Sequence, residues 1–140
     1  MPYRKVAVRA YRIEDEALLY LLARRSFGDR SGWDDARTLG VLERETVFVA
    51  ECGDALAGYV AVVPEADAVR IDQLLVSPEH EGEGIGHQLV EWAEGYAISC
   101  GARALRIVVE EDNSAALDFY RRSGFVPVEH GLLELILPQD

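Results

Sequence analysis

The chain is poor in cations, in cysteine and in long apolar runs, and each scarcity excludes something. Fourteen Lys and Arg against 25 Asp and Glu leave a formal net charge of -11. Non-specific binding to DNA, RNA or an anionic membrane relies on basic side chains neutralising phosphates, so neither nucleic acid nor membrane is an expected partner. A cationic partner suits this field better. Cys52 and Cys100 are the only cysteines, far apart and in no metal-ligand or redox spacing. That excludes a disulfide framework and reads as a reduced intracellular protein. The longest apolar run, Ala55 to Val63, has nine residues, less than half of the ~20 a bilayer requires. The opening MPYRKVAVRAY has no continuous apolar core of the kind a signal peptide carries, so a cytoplasmic location is expected. His80, His87 and His130 share no ligand spacing, and no metal is expected.

What is present is an ordinary globular composition, 49% hydrophobic and 28% charged, in a chain long enough to bury about two-thirds of its unfolded surface. No repeat, low-complexity tract or linker divides it, and residues 1–140 read as one domain. The segment KVAVRAY alternates as a strand, and IEDEALLYLLARRSF follows as a helix with Leu18, Leu21 and Leu22 on one face. Asp29 to Trp33 is turn-like, and DDARTLGVLERE gives a second helix. TVFVAEC and ALAGYVAVV read as strands joined at Cys52-Gly53-Asp54, and VRIDQLLVSP as another stopped by Pro78. A helix then runs to about Cys100 with Ile85, Leu89, Trp92, Ala93, Tyr96 and Ala97 on one stripe, closed by Gly101. ARALRIVVEE is a strand with a two-sided apolar run, AALDFYRRS a helix capped by Asn113 or Ser114 and closed by Gly124, and FVPVEHGLLELILP two strands around His130-Gly131. This order predicts an α/β (α+β) fold: a mixed central sheet of about seven strands flanked by about four helices.

The stretch EHEGEGIGHQLVEW, residues 79–92, sets Gly82, Gly84 and Gly86 between a strand end and a helix start. Free backbone amides and the positive end of a helix dipole converge there, and anions bind such places without a basic side chain. Glycine permits close approach of a phosphate and the unusual φ values that turn N–H groups inward. The dinucleotide fingerprint is not met, since its third glycine falls on His87, and neither is the P-loop, since His87 and Gln88 follow Gly86.

The strand ending Leu74-Leu75-Val76, a proline two residues on, the x-x-G-x-G loop and the pattern Asn113, Tyr120, Gly124, Phe125 together resemble the GNAT superfamily of acetyl-CoA-dependent N-acetyltransferases. The similarity covers roughly residues 69 to 126. It implies that main-chain groups of Leu74, Leu75 and Val76 hold the acetyl and pantetheine portion, an amide near Leu75 polarising the thioester carbonyl. It implies that the amides of Gly82, Glu83, Gly84, Ile85, Gly86 and His87 hold the pyrophosphate and that Asn113 touches acetyl-CoA, the co-substrate. Tyr120 matches the family's general acid, a phenol that protonates the leaving thiolate.

The chain also departs from that pattern. Glu81 stands where the family usually has Gln or Arg, and with Glu79 and Glu83 it makes the loop acidic. Relatives that acetylate protein N-termini carry a glutamate base where this chain has Val108, which turns the expectation away from that acceptor. Asp72, Glu110 or a water chain are the candidate bases. The acceptor side is expected from residues 26–33 and 129–133. The expected reaction is direct acetyl transfer to a primary amine, a small or cationic acceptor, in a protein that could be a homodimer. The alternative is a weak or inactive GNAT module that binds acyl-CoA or a protein partner.

Overall fold

A computed structural model describes residues 4–27 and 35–139. Its strands are β1 (Ala7–Ala10), β2 (Thr46–Cys52), β3 (Ala55–Glu65), β4 (Ala68–Val76), β5 (Ala104–Val108), β6 (Val126–Glu129) and β7 (Leu132–Ile136). Its helices are α1 (Glu16–Phe27), α2 (Asp35–Arg44), α3 (Ile85–Ser99) and α4 (Ser114–Arg122). The seven strands order as β1-β2-β3-β4-β5-β7-β6, with β4 parallel to β5 and β5 antiparallel to β7. The expected mixed sheet with four helices is therefore what forms. None of these helices is long and apolar enough to cross a membrane. The turn expected at Asp29 to Trp33 lies outside the described residues.

Two compact units make up the chain: Met1–Ala61 with Gln73–Leu89, and Val62–Asp72 with Val90–Asp140. In the first unit, Leu19, Leu22 and Ala23 of α1 pack with Val41 and Leu42 of α2, Val47 and Val49 of β2, Tyr59 and Ala61 of β3, and Leu75 of β4. The α1 face differs from the sequence expectation. Leu18 and Leu21 are 55% and 56% exposed, because ALLYLLA is apolar on every side and periodicity cannot choose among its faces. Asp15 anchors the start of α1: it accepts from the Arg12 N–H at 2.8 Å and takes both Nη atoms of Arg9 on β1, at 2.8 and 2.9 Å. A bidentate, charge-assisted pair of this kind fixes orientation as well as distance.

The second unit buries Val69 and Ile71 of β4, Leu105 and Ile107 of β5, and Leu133 of β7. On the alternate face of the same strands, Arg106 of β5 stands opposite Glu134 of β7 and donates to it. Along α3 the buried residues are Ile85, Leu89, Val90, Ala93 and Ala97, whereas Trp92 is 45% exposed. The expected stripe was too wide, since alanines at 93 and 97 give a narrow face and a flanking indole falls outside it. That helix ends in a Schellman cap, with the Gly101 N–H on the Ile98 carbonyl at 2.9 Å and the Ala102 N–H on the Ala97 carbonyl at 3.0 Å.

Candidate functional site

At the end of β4 the main chain has a defined facing. The Leu75 carbonyl oxygen lies so close to β3 that a β-carbon built on Gly58 would sit 2.3 Å from it. Two residues further, the Ser77 N–H donates to the Ala57 carbonyl at 2.7 Å. Successive residues of a strand alternate in direction, and a residue's N–H and C=O point the same way. Leu75 therefore faces β3 with both groups, and the amides of Leu74 and Val76 face away. The β4–β5 register pairs Ala68–Ile71 with Ala104–Ile107 and ends there.

After β4 the chain makes a single 3-10 turn, Pro78–His80, and enters the glycine loop. Gly82 and Gly84 both take φ +80, and Ile85 begins α3. A side chain is strained at those φ values, so glycine is required at both. The first intrahelical bond of α3 is that of the Gln88 N–H to the Gly84 carbonyl, 3.3 Å. The amides of Ile85 and Gly86 precede it, and first-turn amides have no partner within their own helix. Two of the loop's three glutamates are answered by cations. Glu83 pairs with Arg4 Nε at 3.2 Å, and Glu79 accepts from Arg25 and from the Ser77 hydroxyl. The Ser77 bond first, then the main chain and Arg25, hold the Glu79 carboxyl well below the usual range. Glu81 is exposed and joins no ion pair among the described residues.

The loop is also clasped by a side chain that sequence reasoning missed. Gln88 accepts from the Val6 N–H at 3.1 Å and donates to the carbonyls of Arg4 at 2.7 Å and Gly84 at 3.3 Å. The Arg4 N–H bonds the Glu83 carbonyl at 2.9 Å. The primary amide thus imitates a strand partner for residues 4–6 and ties them to the loop. Nothing in a helical Gln announces this. Tyr59, fully buried, donates to Gln73 on β4 at 2.7 Å and was likewise unmarked. Gly58 had a signal, since a glycine inside a strand pattern often marks close backbone approach.

In the second unit, Tyr120 is 6% exposed on α4, edge-on to Phe119 and Phe125 with ring centroids 5.0 and 5.4 Å away. Burial alone pushes its phenol above the ordinary range, so its proton is held more tightly than that of an exposed tyrosine. Asn113 caps α4, its Oδ1 accepting from the Ala116 N–H at 3.2 Å. Asp72 is held by Arg70 Nη1 at 2.7 Å, and Arg70 also binds Glu65 at 2.8 Å. Glu110 is exposed and lies beyond β5, which ends at Val108 rather than running on to the glutamates. Val108 is 65% exposed. Residues 129–133 line a cavity of about 300 Å³ together with Glu111, Leu117 and Arg121, and Glu111 pairs with His130 at 2.5 Å. Of the other acceptor segment, residues 28–33 lie outside the described residues.

Residues 8–125 match the profile of the "Acetyltransferase (GNAT) family". Streptothricin acetyltransferase of Streptomyces lavendulae is 37% identical over 100 residues, 70% of this chain and 52% of that protein. Spermidine N(1)-acetyltransferase of Escherichia coli strain K12 is 30% identical over 86 residues, 59% of this chain and 46% of that protein. The chain spans about half the length of these curated relatives. The crystal structure of the PaiA N-acetyltransferase from Thermoplasma acidophilum in complex with coenzyme A superposes with a TM-score of 0.80 at 22% identity, over 95% of this chain and 99% of that one.

Proposed function

The chain belongs to the acetyltransferase (GNAT) family, and from that premise we propose that it moves the acetyl group of acetyl-CoA directly to a primary amine on a small or cationic acceptor. The observation that carries this reading is the pair of positive-φ glycines, Gly82 and Gly84, opening onto the first amides of α3. That donor set suits a diphosphate, because it is made of N–H groups at the positive end of a helix. The acidic side chains do not spoil the fit: Glu79 and Glu83 are turned to Arg25 and Arg4. Two unit charges about 4 Å apart interact by about 1 kcal/mol in water and about 4 at an effective dielectric of 20, so solvent-facing Glu81 weakens binding only modestly.

Acetyl-CoA supplies a thioester already activated for attack. The chain supplies the rest. Main-chain groups of Leu74 and Val76 align the acyl arm, and the Val76 N–H polarises the thioester carbonyl. The amides from Gly82 to His87 hold the pyrophosphate, with Asn113 a further contact. Tyr120, buried on α4, is the proton donor for the departing thiolate. The acceptor amine loses its proton to Asp72, to Glu110 or to water, and Arg70 already engages Asp72. The cavity at residues 129–133, near the lower end of ligand-site volumes, with Glu111 and Glu129 on its walls, favours a small amine.

The test is thiol release from acetyl-CoA against a panel of polyamines, amino acids, amino sugars and peptides, with Tyr120→Phe as comparator. Tyr120→Phe is expected to lower kcat by roughly 10²- to 10⁴-fold with little change in the acetyl-CoA KM. Equal rates in the two proteins remove the acid role. The engaged Asp72 and the valine at 108 favour a second reading, a module that binds acyl-CoA without turnover. Tight calorimetric binding of CoA with no amine acetylated supports that one.

A further inference from the structure

Gly58 is fully buried in the first unit, on β3, against the backs of Leu75 and Val76, and is not itself among the groups assigned to acetyl-CoA. Its missing side chain nevertheless decides where one of them points. A β-carbon there would lie 2.3 Å from the Leu75 carbonyl oxygen and 3.1 Å from the Val76 Cα. Contacts under about 3 Å to backbone are not accommodated by rotating a side chain, so the Leu75–Val76 peptide would have to move off β3.

A trans peptide holds its C=O and N–H in one plane, pointing opposite ways, and the chain has no cis peptide among the described residues. The oxygen of Leu75 leaning onto β3 therefore aims the N–H of Val76 away from β3, on the edge where the β5 register has ended. The Ser77 N–H bonded to Ala57 locks the following peptide in the opposite sense, and Tyr59, next to Gly58, bonds Gln73 two residues before Leu75. Both sides of the peptide are thus pinned to β3, and only Gly58 leaves room for its oxygen. We infer that Gly58 is a positioning residue for acetyl transfer: by leaving space for the Leu75 carbonyl it sets the aim of the Val76 amide. The inference rests on the acetyltransferase reading above and adds a residue on a neighbouring strand to it.

The test compares wild type and Gly58→Ala in acetyl transfer, using the amine that the panel shows to react fastest, and in calorimetric binding of CoA. The expected outcome is a fall in kcat of roughly 10²- to 10³-fold, the range for losing one oxyanion donor. The CoA Kd should stay within about threefold, because the amides from Gly82 to His87 are untouched; a merely destabilised protein would not split the two. A folded variant that keeps its kcat within threefold overturns the role of Gly58 while leaving acetyl transfer by the wild type standing. Absence of any CoA binding by the wild type removes the acetyltransferase reading itself. A further measurement does not depend on the variant folding: amide spectra of ¹⁵N-labelled wild type with CoA and with acetyl-CoA. The Val76 amide proton is expected to move downfield between the two while that of Leu75 stays. Movement of Leu75 with Val76 unchanged overturns the inference.

Discussion

Replacing Gln88 with alanine removes three hydrogen bonds at once, to the Val6 N–H and to the Arg4 and Gly84 carbonyls. The two shorter ones are each worth about 1 kcal/mol net and the long one about half that; water reaches Arg4, so the sum is about 2 kcal/mol rather than the full desolvation penalty. At roughly 2.1 cal/mol/K per residue, a chain of this length loses about 3 °C of Tm per kcal/mol, so Gln88→Ala should melt about 6 °C lower. Gln88→Glu sharpens the test. It keeps an acceptor for the Val6 N–H, yet turns a second oxygen onto two carbonyls. The new carboxyl's pKa in the folded chain is therefore raised above its unfolded value near 4.3. Its stabilising, protonated form is fully present below the unfolded pKa and is lost as pH rises through the folded one. Gln88→Glu should then be the weaker of the two variants at pH 7 and gain on Gln88→Ala as pH falls towards 4. Thermal melts across that range decide it. A Gln88→Ala protein melting within 1 °C of wild type, or two variants with parallel pH profiles, would mean that the amide does not hold residues 4–6 to the loop.

Two further outcomes follow from other charges. Asp15, 8% exposed and held below the ordinary carboxylate range first by Arg9, contributes stability above its unfolded pKa near 3.9 that is lost as pH falls through its lowered folded value. Asp15→Asn should cost about 2–3 kcal/mol in urea melts at pH 7, with the gap to wild type closing below about pH 4; a gap independent of pH refutes the pairing. Glu81→Arg should tighten CoA binding by roughly two- to tenfold at low salt, read by calorimetry, and unchanged affinity there would place Glu81 far from the phosphates.

Element identity was legible because turn chemistry and period agreed along most of the chain: Gly53, Gly101, Gly124 and Gly131 all take positive φ at the ends of elements that periodicity had drawn. Faces were less legible. On α1 the apolar residues surround the helix, and Leu19 with Ala23, not Leu18 with Leu21, met the core. On α3 the indole of Trp92 looked like a core residue and is not one. Glu134 shows a deeper limit. It sits 7% exposed among leucines, and only the register that brings Arg106 opposite explains it. The turn at the glycine loop was legible from its spacing, with Gly82 and Gly84 at positive φ, but its acidity could not be interpreted, since Arg4 and Arg25 lie over fifty residues away in sequence. The facing of Leu75 and Val76 was equally hidden, because it depends on a contact with Gly58.

Gly82 and Gly84 alternate with three carboxylates whose side chains are turned to guanidinium groups or to solvent. The proposed grip, made by peptide N–H groups, would belong to every sequence that can trace the same path, leaving the letters between the glycines free to drift. Saturation mutagenesis of 79–84 should therefore give a comb: intolerant teeth at 82 and 84, and permissive gaps at 79, 81 and 83. Inheritance at such a loop preserves a curve rather than a set of functional groups.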